Sequence, residues 1–185
     1  IVGMGGLGSR SAELLASSGV GELVIIDHDS VEISDLDRTI YAMEDVGKKK
    51  VICAKEKLEK MSNVKVNIHD RKLDSDFVFD CDLVLDCTDN IESRYIIDDI
   101  VNVPWVHASC STRLGEVLVV MPGGPGYRDV FPDKKEIDQR TTNISVNITS
   151  SIQVDQAISI LQNKKYCGDL IRIDLSRLTI KKFKI

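Results

Sequence analysis

The chain has 185 residues, 43% of them hydrophobic and 29% charged, with a formal net charge of -5. That length suits one compact domain, and the acidic balance speaks against binding a nucleic-acid backbone, whose grip rests on clustered Lys and Arg. No uninterrupted apolar stretch of about 20 residues is present, so no membrane span is predicted.

The first element is a strand at Ile1-Val2 running into the glycine turn Gly3-Met4-Gly5-Gly6-Leu7-Gly8. Because Ile1 already reads as strand, the natural N-terminus is expected to be missing from this numbering. Ser9 to Ser18 carries Ala12, Leu14, Leu15 and Ala16 at helical spacing, stopped by Gly19-Val20-Gly21. Leu23 to Ile26 is a continuous apolar run, the mark of a strand covered on both faces, and it ends in Asp27. Ser30 to Tyr41 is irregular, and a helix is predicted from about Asp45 to Met61. Val64 to Ile68 and Asp82 to Asp86 follow as strands, then a helix over Ile91 to Val101 and strands over Pro104 to Ala108 and Gly115 to Met121. Pro122 to Asn147 is turn-rich and reads as an irregular crossover. A helix over Ile148 to Leu161, with Ile152, Ala157, Ile158 and Leu161 on its apolar stripe, precedes a closing hairpin of Leu170–Leu175 and Leu178–Ile180.

This order predicts an α/β class: a doubly wound, Rossmann-like, mostly parallel sheet with a C-terminal antiparallel hairpin, in a single domain. The five cysteines (Cys53, Cys81, Cys87, Cys110 and Cys167) form no C-x-x-C pair, which fits free thiols in a reducing cytoplasm. In a doubly wound sheet, sites lie beyond the carboxyl ends of strands, so Gly3–Gly8, Asp27–Asp29 and Thr88–Asn90 are predicted to converge. The glycines admit phosphates to the backbone, and Asp27, 19 residues after Gly8, is spaced to receive ribose hydroxyls. The pair Arg38 and Lys50 suits a triphosphate better than a dinucleotide, and Asp89 is a reasonable magnesium ligand. Asp29 either caps its turn or touches the ligand. Asp86 is read as a strand end bonding locally, and His107 as a core histidine.

The motifs Gly3–Ser9, Gly19-Val20-Gly21, Asp27–Val31, Ser34–Arg38, Val46–Val51 and Asp86–Asn90 together resemble the ThiF/MoeB/HesA family of the ubiquitin-activating-enzyme superfamily. The resemblance implies a nucleotidyltransferase. It would join ATP to the C-terminal glycine carboxylate of a small β-grasp carrier protein ending in Gly-Gly and release pyrophosphate. It further implies catalytic roles for Arg38, Lys50 and Asp89, with Mg2+ at Asp89. Nucleotide contacts would come from Gly3, Gly5, Gly6, Gly8, Asp27, Asp29, Arg38, Lys50, Thr88, Asp89 and Asn90. A cytoplasmic homodimer is expected. Adenylation of a small-molecule, peptide or tRNA-nucleoside carboxylate, or a scaffold that binds nucleotide without turnover, are the alternatives.

Some positions depart from the family pattern. Gly126 and Asp129 stand where a zinc-binding cysteine pair is common, so no zinc is expected. The run Asp138–Asn143 has no cysteine for a covalent link, so no thioester or persulfide stage is expected unless Cys167 stands in. Asp35 replaces a usual asparagine, an acid that would repel phosphates unless a cation or magnesium neutralises it, and Thr39 replaces a common glutamine.

Overall fold

The computed structural model describes residues 1–134, 140–162 and 168–185. Asp138 and Gln139 of the crossover, and Cys167, lie outside the described residues.

Helix α1 (Gly6–Ser17) leads to strand β1 (Glu22–Ile26), and two single 3-10 turns precede α2 (Lys50–Met61) and β2 (Lys65–His69). Strand β3 (Val84–Asp86), α3 (Ile91–Ile100), β4 (Trp105–Cys110) and β5 (Leu114–Val120) follow. The short α4 (Tyr127–Val130), the long α5 (Asn143–Leu161) and the pair β6 (Asp169–Asp174) and β7 (Thr179–Lys184) complete the chain. Val2 bridges in parallel to Ile26 on one side and to Asp86 on the other, which joins the strands into one sheet. Its order is β2, β1, Val2, β3, β4, β5, β6, β7.

β1–β2 and β3–β4 pair in parallel, as βαβ units require, whereas β4–β5, β5–β6 and β6–β7 are antiparallel. The antiparallel part therefore extends beyond the closing hairpin. Only residues 111–113 separate β4 from β5, and a parallel return needs a crossover of about a dozen residues or more.

Apolar side chains cover both faces, as the continuous runs in the strands demand. On one face Leu23 and Ile25 of β1 pack with Ala12 and Leu15 of α1, Val51 and Leu58 of α2, and Val154 and Ala157 of α5. On the other, Val84, Trp105 and Leu118 pack with Ile97 of α3, Tyr127 of α4 and Phe131. Burying each large side chain contributes roughly 1.5–3 kcal/mol, so both layers hold the strand ends in register.

Helix α5 begins at Asn143, inside the segment expected to be irregular, because Thr142 caps it: the Thr142 Oγ1 accepts from the Ser145 amide at 3.2 Å. Of the predicted stripe, Ala157 is fully buried and Ile152 and Ile158 pack against the core, but the buried face is more polar than that stripe. Ser145, Thr149, Ser150, Gln153 and Gln156 are buried there, while Leu161 is exposed. The small polar residues let α5 approach the glycine turn, where the Ser150 hydroxyl donates to the Leu7 carbonyl at 3.3 Å. Gln153 uses its whole amide: Oε1 accepts from Ser11 Oγ at 2.8 Å and Cys87 Sγ at 3.3 Å, and Nε2 donates to the carbonyls of Asp86 at 3.0 Å and Val106 at 2.9 Å. Among the described residues, no helix is long and apolar enough to cross a membrane.

Candidate nucleotide site

The carboxyl ends of the Val2 segment, β1 and β3 open into one cleft of about 220 Å³. Its walls include Gly3, Gly5, Gly6, Asp27, Asp29, Asp35, Arg38, Lys50, Thr88, Asp89 and Asn90. The predicted convergence of the three strand-end motifs is thus what the backbone produces.

The glycines do different jobs. Gly3 adopts φ +87°, and a Cβ there would sit 2.8 Å from the Cys87 carbonyl oxygen. Gly5 has no other heavy atom within 4 Å of a Cβ position, so its backbone faces open cleft. Gly8 serves packing instead: a Cβ there would collide with the Gly3 carbonyl and lie 3.3 Å from Cys87 Cβ. It lets α1 start tight against the strand ends, and the structure does not bring it to the cleft wall.

Asp27 is the structural pivot. Its Oδ2 accepts from the Met4 amide at 2.6 Å and its Oδ1 from the Asp29 amide at 2.7 Å. These bonds fix the turn and leave further lone pairs directed by the same geometry for a ligand hydroxyl. Lys50, first residue of α2, has a side chain 9% exposed, with Nζ 3.2 Å from Asp29 Oδ2 and 3.8 Å from Asp35 Oδ2. Burial works to lower its pKa, but the charges of Asp27, Asp35 and Asp29 outweigh it, so the ammonium is held above its ordinary range. Asp29 is therefore a partner of Lys50 as well as a wall residue.

Arg38 donates through Nη1 to Asp37 at 2.9 Å and to the Ser34 carbonyl, and its Nη2 lies 3.8 Å from Asp35 Oδ1. Asp35 is buried, and its Oδ2 accepts from the Glu32 amide at 2.9 Å. The acid that replaces the expected asparagine is thus flanked by both cations. Thr39 points away from the cleft chemistry, donating to the Asp35 carbonyl at 2.8 Å.

On the opposite wall Asp89 is exposed, with Oδ1 accepting from Asn90 Nδ2 at 3.2 Å. Asn90 caps α3, its Oδ1 accepting from the Ser93 amide at 2.8 Å. Thr88 donates both its amide (2.9 Å) and its hydroxyl (2.7 Å) to Asp86 Oδ1. Asp86 and His107, register partners on β3 and β4, are fully buried, with His107 Nδ1 2.6 Å from Asp86 Oδ2. Burial alone would raise the Asp86 pKa, but His107, Arg94 and Thr88 hold it below its usual range. Burial lowers that of His107, keeping a neutral imidazole against a carboxylate. Asp86 does bond locally and His107 does belong to the core, as read from the sequence.

Arg94 escaped the sequence reading. It is 4% exposed, lines the cleft, and donates through Nη2 to the Thr88 carbonyl at 2.9 Å. Its position in α3 matches an ordinary charged helix residue; only the packing of α4 beside it shows that it is buried. Arg71 and Lys72, on the segment after β2, line the rim and pair with Asp74 and Glu92.

For magnesium, the donor set is suitable: Asp89 offers a carboxylate at the cleft wall, and Mg2+ needs one or two carboxylates alongside phosphate and water oxygens. Asp27, His28 and Asp29 also bring ligand atoms within 4.8 Å of one another, but there the carboxylates already serve Met4, Asp29 and Lys50. Where a zinc-binding cysteine would stand, the space beside Gly126 is filled by Asp98, whose oxygens accept from the Tyr127 amide at 2.7 Å and the Arg128 amide at 3.0 Å.

Comparison with known proteins gives relatives on every scale. The chain is 33% identical over 205 residues to a probable molybdopterin-synthase adenylyltransferase of Porphyra purpurea, covering 100% of this chain and 53% of the relative. It is 34% identical over 145 residues to the SAMP-activating enzyme E1 of Haloferax volcanii (74% of this chain, 54% of the relative). With the molybdopterin-synthase adenylyltransferase of Haemophilus influenzae the figures are 32% over 203 residues, 100% and 84%. The chain thus spans about half the length of the first two. Among solved structures, Escherichia coli MccB with ATP superposes with a TM-score of 0.87 at 20% identity, over 99% of this chain and 62% of MccB. That likeness establishes the fold. The family model described as "ThiF family" matches residues 1–185, and the chain belongs to that family.

Proposed function

We propose that this chain is the adenylation domain of an ATP-dependent adenylyltransferase acting on the C-terminal glycine carboxylate of a small ubiquitin-like or sulfur-carrier protein. The observation that carries the reading is the gathering of Asp27, Arg38, Lys50 and Asp89 around one glycine turn in one cleft. Relatives named as adenylyltransferases and as an activating E1 support the reaction class.

In this reading Asp27 receives the ribose hydroxyls while holding the turn through Met4. The backbone of Gly3, Gly5 and Gly6 lies along the phosphates. Arg38 and Lys50 face the phosphates and stabilise charge that builds on their oxygens as the carboxylate oxygen bonds to the α-phosphorus and the bond to the bridging oxygen breaks. The products are the acyl-adenylate and pyrophosphate, and no protein nucleophile is needed. Asp89 would hold Mg2+, which supplies positive charge beside the phosphates. Asp35 lowers the net pull of the two cations in the free protein, so a divalent ion at Asp89 matters more here than with asparagine at 35. The carrier is read as a β-grasp protein ending in Gly-Gly and the working form as a cytoplasmic homodimer, on the support of the family resemblance; the site is read as free of zinc because Gly126 and Asp129 stand where the family commonly has cysteines.

The flanking of Asp35 by Arg38 and Lys50 at 3.8 Å also favours a second reading, a nucleotide-binding scaffold without turnover. Carrier-dependent exchange of labelled pyrophosphate into ATP separates the two. The expected result is exchange that Arg38→Ala and Asp89→Ala each reduce by about a hundredfold, in line with loss of one charge-stabilising group. ATP binding without exchange, across all diglycine-ended carriers of the source organism, would assign the scaffold.

A further inference from the structure

Thr88 is held at every polar group it has. Its amide and hydroxyl donate to Asp86 Oδ1 at 2.9 and 2.7 Å, and its carbonyl accepts from Arg94 Nη2 at 2.9 Å. The other Asp86 oxygen is bound by His107 Nδ1 at 2.6 Å, so the carboxylate cannot turn without breaking that bond. All of these groups are buried, and neither Asp86 nor His107 lines the cleft. Residue 89 comes next in the chain, and its carboxylate does stand at the cleft wall.

The remaining imidazole nitrogen sharpens the point. His107 Nε2 is buried with no hydrogen-bond partner among the described residues, and the ring sits edge-on to Tyr127 at 4.9 Å between centroids. An orphaned buried nitrogen costs stability, about 1–3 kcal/mol by general experience. A small apolar residue here would avoid that cost. What a nitrogen donor carried on Cγ supplies is the bond to Asp86.

We infer that Asp86 and His107 are positioning residues: across the β3–β4 ladder they set the conformation of Thr88 and thereby place the Asp89 carboxylate in the cleft. Arg94 closes the same grip from the carbonyl side and ties it, through a 3.4 Å contact of Nη1 with the Tyr127 hydroxyl, to the segment crossing from β5 to α5. The catalytic part of this inference rests on the adenylation reading; the structural part does not.

The test uses His107→Leu, which removes the donor, and His107→Asn, whose side-chain NH2 also hangs on Cγ and can replace Nδ1–H. In the ligand-free protein, amide hydrogen exchange at Thr88 and Asp89 is expected to quicken at least tenfold in His107→Leu, relative to the amides of Val117 to Val119, and to return within threefold in His107→Asn. In pyrophosphate exchange, His107→Leu is expected to lower kcat about ten- to a hundredfold, as displacements of up to about 1 Å do. KM for ATP should stay within threefold, because Asp27, Arg38 and Lys50 are untouched, and His107→Asn should recover most of kcat. Unchanged local exchange, equal damage from Leu and Asn, or a KM that rises as far as kcat falls would overturn the inference. Should His107→Leu fail to fold, His107→Phe, which keeps a ring against Tyr127 and lacks the donor, carries the same readouts with the same expected directions. If the wild-type protein gives no pyrophosphate exchange, the adenylation reading falls, while the amide-exchange arm still decides the positioning.

Discussion

Substituting Asp35 by asparagine is expected to tighten ATP binding, an unusual direction for a change at a buried charge. The Asp35 carboxylate lies 3.8 Å from both Arg38 Nη2 and Lys50 Nζ and has a side chain only 10% exposed. A phosphate oxygen on the far side of those cations, at a hydrogen-bond distance of about 3 Å, would lie about 7 Å from the carboxylate. At effective dielectric constants between about 20 and 80, that repulsion is about 0.6–2.4 kcal/mol per unit charge. Asn keeps an oxygen to accept the Glu32 amide and removes only the charge, so Asp35→Asn should lower the Kd for ATP roughly tenfold, equivalent to about 1.4 kcal/mol. The gain should shrink with added salt, since the cleft is open to solvent. Isothermal titration with ATP, with and without Mg2+, measures both. A Kd that stays the same or rises, in a variant whose thermal unfolding matches wild type, would refute the electrostatic argument and point to Asp35 as a support for Arg38 and Lys50.

Two glycines only three residues apart should respond in opposite ways. Gly8→Ala is expected to cost about 2–4 kcal/mol in denaturant unfolding, because its Cβ meets backbone that cannot move aside. Gly5→Ala should leave stability within about 1 kcal/mol but weaken ATP binding, since its Cβ enters the phosphate side of the cleft; equal stability losses would show the turn to be one rigid unit. Stability should also fall on acidification. Burial holds the His107 pKa below its ordinary value, so the unfolded chain binds a proton that the folded one refuses. The sign is a loss of stability as pH drops below about 6.5, with a slope of at most about 1.4 kcal/mol per pH unit. Chemical denaturation between pH 7.5 and 5 checks this, and His107→Asn should flatten the slope; an unchanged slope would place its origin elsewhere.

The half of the site nearest the glycine turn was legible because its signals are local. Gly3 to Gly8, Asp27 and Lys50 lie at ends of periodic segments, and strand-end geometry brings them together whatever the distant chain does. The opposite wall was legible only in part. Asp89 could be placed, but Asp86 and His107 are 21 residues apart and meet through strand register, which no spacing rule exposes. Arg94 looks like a solvent-facing charge until α4, with Tyr127, is packed beside it. Two features were readable and were missed. Thr142 and Ser145 form a helix-start pattern that marks Asn143 as the first residue of α5. The short link between the strands at 105–110 and 114–120 admits only a hairpin, so the antiparallel pairing of β4 with β5 was implied by connection length.

The Gln153 amide has a consequence for observation. Its four bonds end on α1, on the last residue of β3 and Cys87 after it, and on β4, and its two faces are not interchangeable: reversed, Oε1 would meet two carbonyl oxygens. One side chain therefore samples the alignment of the glycine turn's helix with the strand that carries Asp86 and leads to Asp89. Its two side-chain NH resonances form a built-in gauge. They should report any nucleotide- or carrier-driven shift between the cleft's two walls from a position that touches no ligand.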